Sequence, residues 1–149
     1  MPLRSERLRS IQQVAENREQ EAARELGRAR AKVEESESRL KELVAFREEY
    51  TKNFLASAAT GMEMSRLLEY QRFLGRIDQA VDHQKTVIEQ AKSVYMRRQQ
   101  AWGYLRGRVL ALEKVAERYR QQERVQVDRK EQKEIDERAQ RMVRADLLP

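Results

Sequence analysis

Cysteine is absent from the 149 residues, so disulfides and cysteine-based metal or nucleophile chemistry are excluded. Proline occurs only at Pro2 and Pro149, which leaves 146 residues between them without that helix breaker. Glycine is scarce and scattered (Gly27, Gly61, Gly75, Gly103, Gly107), so no Gly-rich phosphate loop can be drawn. A lone glycine inside a helix is expected to mark crowding or a bend. His83 is the only histidine, and it falls on an outward position. A metal site or a His-based general base needs convergent partners that this chain lacks. Long hydrophobic runs are missing too. No window approaches the ~18 apolar residues of a membrane span, and the opening stretch lacks the apolar run of a signal peptide. A soluble, cytoplasmic protein is expected.

What is present is charge, at 38% of residues, together with Ala, Leu and Gln. That composition belongs to long helices or a coiled coil, and the periodicity below argues against disorder. In the first half, Leu8, Ile11, Ala15, Arg18 and Ala22 keep alternating 3- and 4-residue steps. A second run, from Leu26 and Ala29 through Ser36, Leu40, Leu43 and Tyr50 to Phe54, does the same. The runs join by a 4-residue step that follows another, which reads as a stutter. In the second half the rhythm is unbroken from Leu67 through Ile77, Gln84, Ile88, Trp102 and Val109 to Tyr119. That seam extends about 80 Å at about 1.5 Å per residue.

Between the halves lies "SAATGMEMS". Thr60 followed by Glu63 has the capping-box spacing, so helix 2 is expected to start near Gly61. A connection this short makes the two helices antiparallel neighbours. The expected fold is all-α: a long antiparallel two-helix coiled-coil hairpin with a C-terminal helical overhang. The whole of 1–149 reads as one domain, with helix 1 about 5–56, a turn about 57–60 and helix 2 about 61–142. Facing seam positions then have numbers summing to about 120–121. This sets Ser36 opposite Gln84 and Trp102 opposite Arg18. Beyond Tyr119 the helix has no partner stretch, and its opposite charges at helical spacing support a solvated helix.

Residues 92–124 hold nine basic groups against Glu113, Glu117 and Glu123, a pattern open to nucleic acid, an acidic protein surface or plain solvation. Carboxylate pairs such as Glu48/Glu49 and Asp136/Glu137 read as solvated helix charges, and a two-helix hairpin offers no pocket. The chain is therefore not expected to be an enzyme. A surplus of apolar residues is the informative feature. Phe73, Ala80, Val87, Val94 and Ala101 recur every seven residues one column off the seam, and Phe46 is a counterpart in helix 1. Two-helix coiled coils usually carry charge at such flanking positions. A third apolar column implies another neighbour, either a further strand or copy of this chain or a different protein.

The ordered segments "AARELGRAR", "RLKELVAFREEY", "EYQRFLGRIDQAVDHQ" and "EQKEIDERAQR" resemble the FliJ family, the small coiled-coil component of the flagellar type III export apparatus. The resemblance covers about residues 20–142. It implies a hairpin similar to the coiled coil of the F-type ATPase gamma subunit. Such a protein inserts into the hexameric ring of the flagellar export ATPase and promotes its assembly and activity. It also docks on the export-gate membrane protein (the FlhA type) and escorts unloaded export chaperones. Carried over position by position, gate docking falls on Leu43, Phe46, Tyr50, Phe73, Ile77, Ala80 and Gln84. Where the family shows a histidine at the last of these, this chain has Gln84, with His83 beside it. ATPase-ring contact falls on Lys133, Asp136, Glu137 and Arg141. The resemblance implies no catalytic or metal-binding residue, no cofactor, no small-molecule substrate and no nucleic acid. It also implies a cytoplasmic protein peripherally associated with the inner-membrane export apparatus. Other readings are an injectisome stalk protein, a nucleic-acid-binding helical arm and a homo-oligomeric coiled coil.

Overall fold

A run of helix-favouring residues free of internal proline gives two helices in the computed structural model, which describes residues 2–147. Helix α1 spans Arg4–Ala58 and helix α2 spans Met64–Leu147; among the described residues there is no strand. The two helices pack against each other as an antiparallel hairpin, and the all-α reading of the sequence holds. At their outer ends the helices run past the expected bounds, α1 from Arg4 and α2 to Leu147, with no proline inside either. Compact contacts divide the chain into two units. One combines the residues up to Gln20 with those from Tyr104 onward, and the other is Glu21–Gly103.

The connection differs from the capping-box expectation. Thr60 does not cap α2; its hydroxyl donates to the Ser57 carbonyl at 2.8 Å, closing the end of α1. The amides of Thr60 and Gly61 turn back to the carbonyls of Ser57 and Ala58 at 3.2 and 3.1 Å. Gly61 sits at φ 97°, the left-handed conformation that ends many helices and that glycine adopts without a Cβ penalty. Helix α2 therefore starts at Met64, after Glu63, whose carbonyl accepts from the Leu67 amide at 3.2 Å. The pattern Thr-x-x-Glu was present, but the glycine between its two ends set the backbone. The remaining glycines do not mark crowding: a Cβ at Gly27, Gly75, Gly103 or Gly107 would meet nothing within 4 Å.

In unit Glu21–Gly103, burial follows the expected seam. Ala29, Ser36, Ile77, Ile88 and Ala91 are buried, and Leu26, Val33, Leu40, Leu43, Tyr50, Phe54, Leu67, Tyr70, Leu74 and Val81 are half-buried. Arg98 is the seam residue of α2 that stays exposed, since a guanidinium gains nothing from leaving water. The register is fixed by a polar layer. The Gln84 side-chain amide donates to the Ser36 carbonyl at 2.9 Å, while the Ser36 hydroxyl donates to the Lys32 carbonyl at 2.7 Å. The bond across the helices favours the register seen, because a slip takes the half-buried Gln84 amide away from its acceptor, whereas the Ser36 hydroxyl is satisfied within its own helix. Among the described residues no buried side-chain nitrogen or oxygen lacks a partner.

In the other unit, Ala15, Val109 and Ala116 are buried, the last at 1% exposure. Small side chains there let the helices approach closely. The expected positions Ile11 and Arg18 are exposed, and Gln12 and Glu19 take the half-buried places instead. With Gln12 and Glu19 included, α1 keeps its 3–4 spacing from Ser5 to Phe54, so the expected stutter is absent. The N-terminus of α1 is closed by carboxylates. Glu6 accepts from the Leu3 amide at 3.2 Å, and Glu123 accepts from the Ser5 amide at 3.1 Å and the Ser5 hydroxyl at 2.7 Å. These two acids answer amides that an α-helix leaves unpaired in its first turn. The numbers of Ser5 and Glu123 sum to more than the expected value because helical side chains lean toward their own N-terminus. Every residue from 124 to 147 is exposed.

Candidate functional site

Aromatic residues concentrate where the two helices of unit Glu21–Gly103 come toward their connection. Phe54 and Tyr70 stack with ring centroids 3.5 Å apart, and Tyr50 and Tyr70 stack at 5.4 Å. The Tyr70 hydroxyl reaches the Thr51 hydroxyl at 3.3 Å, which satisfies a phenol that its ring carries into the seam. Off the seam, Phe73 leans on Tyr50 at 4.6 Å and meets Phe46 edge to face at 6.1 Å. Phe46 also stacks on Tyr50, one helical turn away, at 6.3 Å. Phe46 nonetheless keeps 49% of its surface in water. A phenylalanine held in place by two rings and still half open is a preformed apolar anchor.

The two sides of this seam differ in chemistry. On one side lie Phe46 and Phe73 in contact, followed along α2 by the half-buried Ala80 and Val87. On the other side the helices are joined by ion pairs. Arg47 meets Asp78 at 2.6 Å, and Lys92 meets Glu37 at 3.6 Å. The Asp78 carboxylate, by hydrogen bond and charge, raises the Arg47 guanidinium above its already high ordinary pKa. These pairs are solvent-exposed and add little stability singly, but they make the two sides unlike.

The structure brings the seven gate-docking candidates into one stretch of the hairpin but gives them different surroundings. Ile77 is buried at 5% exposure, and Leu43, Tyr50, Phe73, Ala80 and Gln84 are half-buried. The Gln84 amide is engaged by the Ser36 carbonyl, so it serves the hairpin itself. Phe46 is the most open of the apolar members. The Phe54–Tyr70 stack and the Arg47–Asp78 bridge were not expected. The signal for the stack was the placing of large rings at facing seam positions beside the turn.

The second candidate group lies in the exposed end of α2. Lys133, Asp136, Glu137 and Arg141 are all exposed. Arg141 pairs with Glu137 one turn away at 3.9 Å, and Asp136 accepts from the Gln132 amide at 3.1 Å. These local pairs support a solvated helix rather than a shared site. Among the described residues no cluster of three or more His, Asp or Glu side chains could hold a metal ion, and no helix is long and apolar enough to cross a membrane.

An antiparallel pair of long helices with one aromatic side and one ion-paired side defines a helical coiled-coil protein. The family model described as "Flagellar FliJ protein" matches residues 4–147. The chain belongs to that family, and it is a flagellar protein associated with export. It is 27% identical over 134 residues to the flagellar FliJ protein of Escherichia coli strain K12, covering 90% of this chain and 91% of that one. The flagellar FliJ protein of Salmonella typhi is 26% identical over the same shares. No solved structure matches at a significant level.

Proposed function

We propose that this chain works by binding, as a coupling component of the flagellar export apparatus. It engages the export ATPase ring, docks on the export-gate membrane protein and escorts export chaperones, and it catalyses no reaction itself. Family membership supports this role. The single observation that carries the docking half is Phe46, held by Tyr50 and Phe73 yet 49% exposed. Gate docking is assigned to the side bearing Phe46, Phe73 and Ala80, with Leu43 and Tyr50 behind them and Ile77 and Gln84 fixing the helices. The exposed end of α2, with Lys133, Asp136, Glu137 and Arg141, is assigned to the ATPase ring. A helix that buries nothing along its own chain gains most from being ordered by a partner.

The test is to mix the protein with its cognate export ATPase and follow oligomerisation and hydrolysis. Both should rise, and no change in either removes the ATPase role. In parallel, Phe46→Ala should retain the helical circular dichroism signal and weaken binding to the isolated gate-protein domain by about tenfold, as truncation of an aromatic anchor does. Undiminished binding sinks the docking assignment.

A further inference from the structure

Where the first turns of α1 lie against α2, the two sides of the seam carry different charge. One side is marked by a shallow hollow lined by Arg4, Arg7, Tyr119 and Gln122, with the Arg4 guanidinium 5.9 Å from the Tyr119 ring centre. Heptad steps carry this side along α1 from Arg4 to Ile11 and Arg18, and from Arg7 to Val14. Along α2 they lead back from Gln122 to Val115 and Arg108, with Arg118, Ala111 and Tyr104 in the next column outward. The five arginines are exposed, and none is ion-paired to a carboxylate among the described residues.

Every carboxylate of residues 4–20 and 104–124 lies elsewhere. Glu117 pairs with Arg120 and Arg124 around the hollow on the other side of the seam. Glu113 precedes Arg120 by one heptad, and Glu16 flanks buried Ala15 on the side away from Val14. Glu19 and Glu123 are half-buried on the seam, and Glu6 accepts from the Leu3 amide. Glu21 and Glu25, next in the two columns of α1, mark where the acid-free run ends.

Large apolar side chains stand among these arginines. Ile11 is 48% exposed, Val14 51% and Tyr104 72%. They rise from both helices rather than in one stripe, so a broad flat surface covers them where a single docked helix does not. Nucleic acid would meet the arginines but offer the aliphatic Ile11 and Val14 no apolar interior. A second copy laid face to face would set arginine against arginine.

We propose that this face, formed by 4–18 of α1 and 104–118 of α2, rests on an anionic lipid surface. Ile11, Val14 and Tyr104 enter the boundary between headgroups and acyl chains, and the arginines lie among the lipid phosphates. The face uses none of the residues assigned to the gate or the ATPase ring, so its test stands apart from theirs.

The test is co-sedimentation of the full chain with vesicles of phosphatidylethanolamine and phosphatidylglycerol, against vesicles of phosphatidylcholine. Binding should be at least about tenfold tighter to the anionic vesicles and should fall as salt rises. Arg7→Glu combined with Arg108→Glu should cost about tenfold or more. Arg9→Glu combined with Arg106→Glu makes the same change in net charge on the other side of the seam. That pair should cost no more than about threefold. If either pair lowers helicity, Tyr104→Ser, at a position 72% exposed, keeps the question open to measurement. It should weaken vesicle binding about threefold with an unchanged circular dichroism signal. Equal binding to the two kinds of vesicle, or equal losses from the two pairs, overturns the proposal. So does tighter binding to single-stranded RNA or to polyglutamate than to the anionic vesicles, which would assign the face to nucleic acid or to an acidic protein.

Discussion

Two stretches of the same helix behave in opposite ways. Residues 67–91 of α2 place Ile77, Ile88 and Ala91 in the interior and bring Tyr70 and Phe73 into an aromatic cluster. Residues 124–147 expose every side chain, including Val127, Ile135 and Met142. Both are helical and both lack proline and glycine breakers near their centres, apart from Gly75 in the first. Propensity and local ion pairs are thus enough to draw the helix, and burial against α1 is what fastens part of it. A helix about 36 Å long with no partner is available for one.

The sharpest way to break that comparison is to truncate one isoleucine in each stretch. Ile77→Ala removes a side chain that is 5% exposed and should destabilise the hairpin by about 2–4 kcal/mol. Ile135→Ala removes one that is 57% exposed and should change stability by less than about 0.5 kcal/mol. Thermal or urea unfolding followed at 222 nm measures both. Equal losses would mean that the end of α2 is packed in solution.

Much of this division can be read from residues alone, and the misreadings have physical causes. Along α2 the seam from Leu67 to Tyr119 was legible because large apolar residues occupy almost every inward place. In the first turns of α1 hydrophobicity misled. Ile11 is the more apolar neighbour of Gln12, yet Gln12 and Glu19 take the half-buried places, because long polar side chains can lie along a seam with their ends in water. The connection was not legible because a capping pattern does not reveal the sign of φ at the residue inside it, and Gly61 at φ 97° ends α1 there. At the site, off-seam Phe46 and Phe73 stood out by spacing, whereas their mutual packing depends on rotamers that spacing does not encode.

A smaller effect sharpens the packed side of the comparison. Gly75 lies inside the helical stretch that carries the aromatic cluster, and an added Cβ would meet nothing within 4 Å. Gly75→Ala should stabilise the hairpin by about 0.5–1 kcal/mol through lower chain entropy in the unfolded state. A gain shows as a raised urea midpoint with an unchanged slope. A loss would mean that the bare backbone at Gly75 is needed by something pressed against it.

The smallest effect locates where pairing ends. Glu123 is the last half-buried residue of α2 before the exposed stretch begins. Its carboxyl is held below the ordinary glutamate value of 4.5, first by the Ser5 hydroxyl and then by the backbone amides of Ser5 and Arg4, with Arg120 adding charge. A depressed folded-state value means that the interaction contributes stability above the unfolded value. That contribution is lost as pH falls below about 4.5 and through the folded one. Glu123→Gln should therefore lower the unfolding midpoint slightly at pH 7, and the gap from the parent should close as the pH is taken down toward 3. Glu25, also depressed, is present in both proteins and cancels in the difference. A gap that stays constant across that range would show that Glu123 carries no folded-state charge interaction, and that the paired part of α2 stops earlier than Ser5 implies.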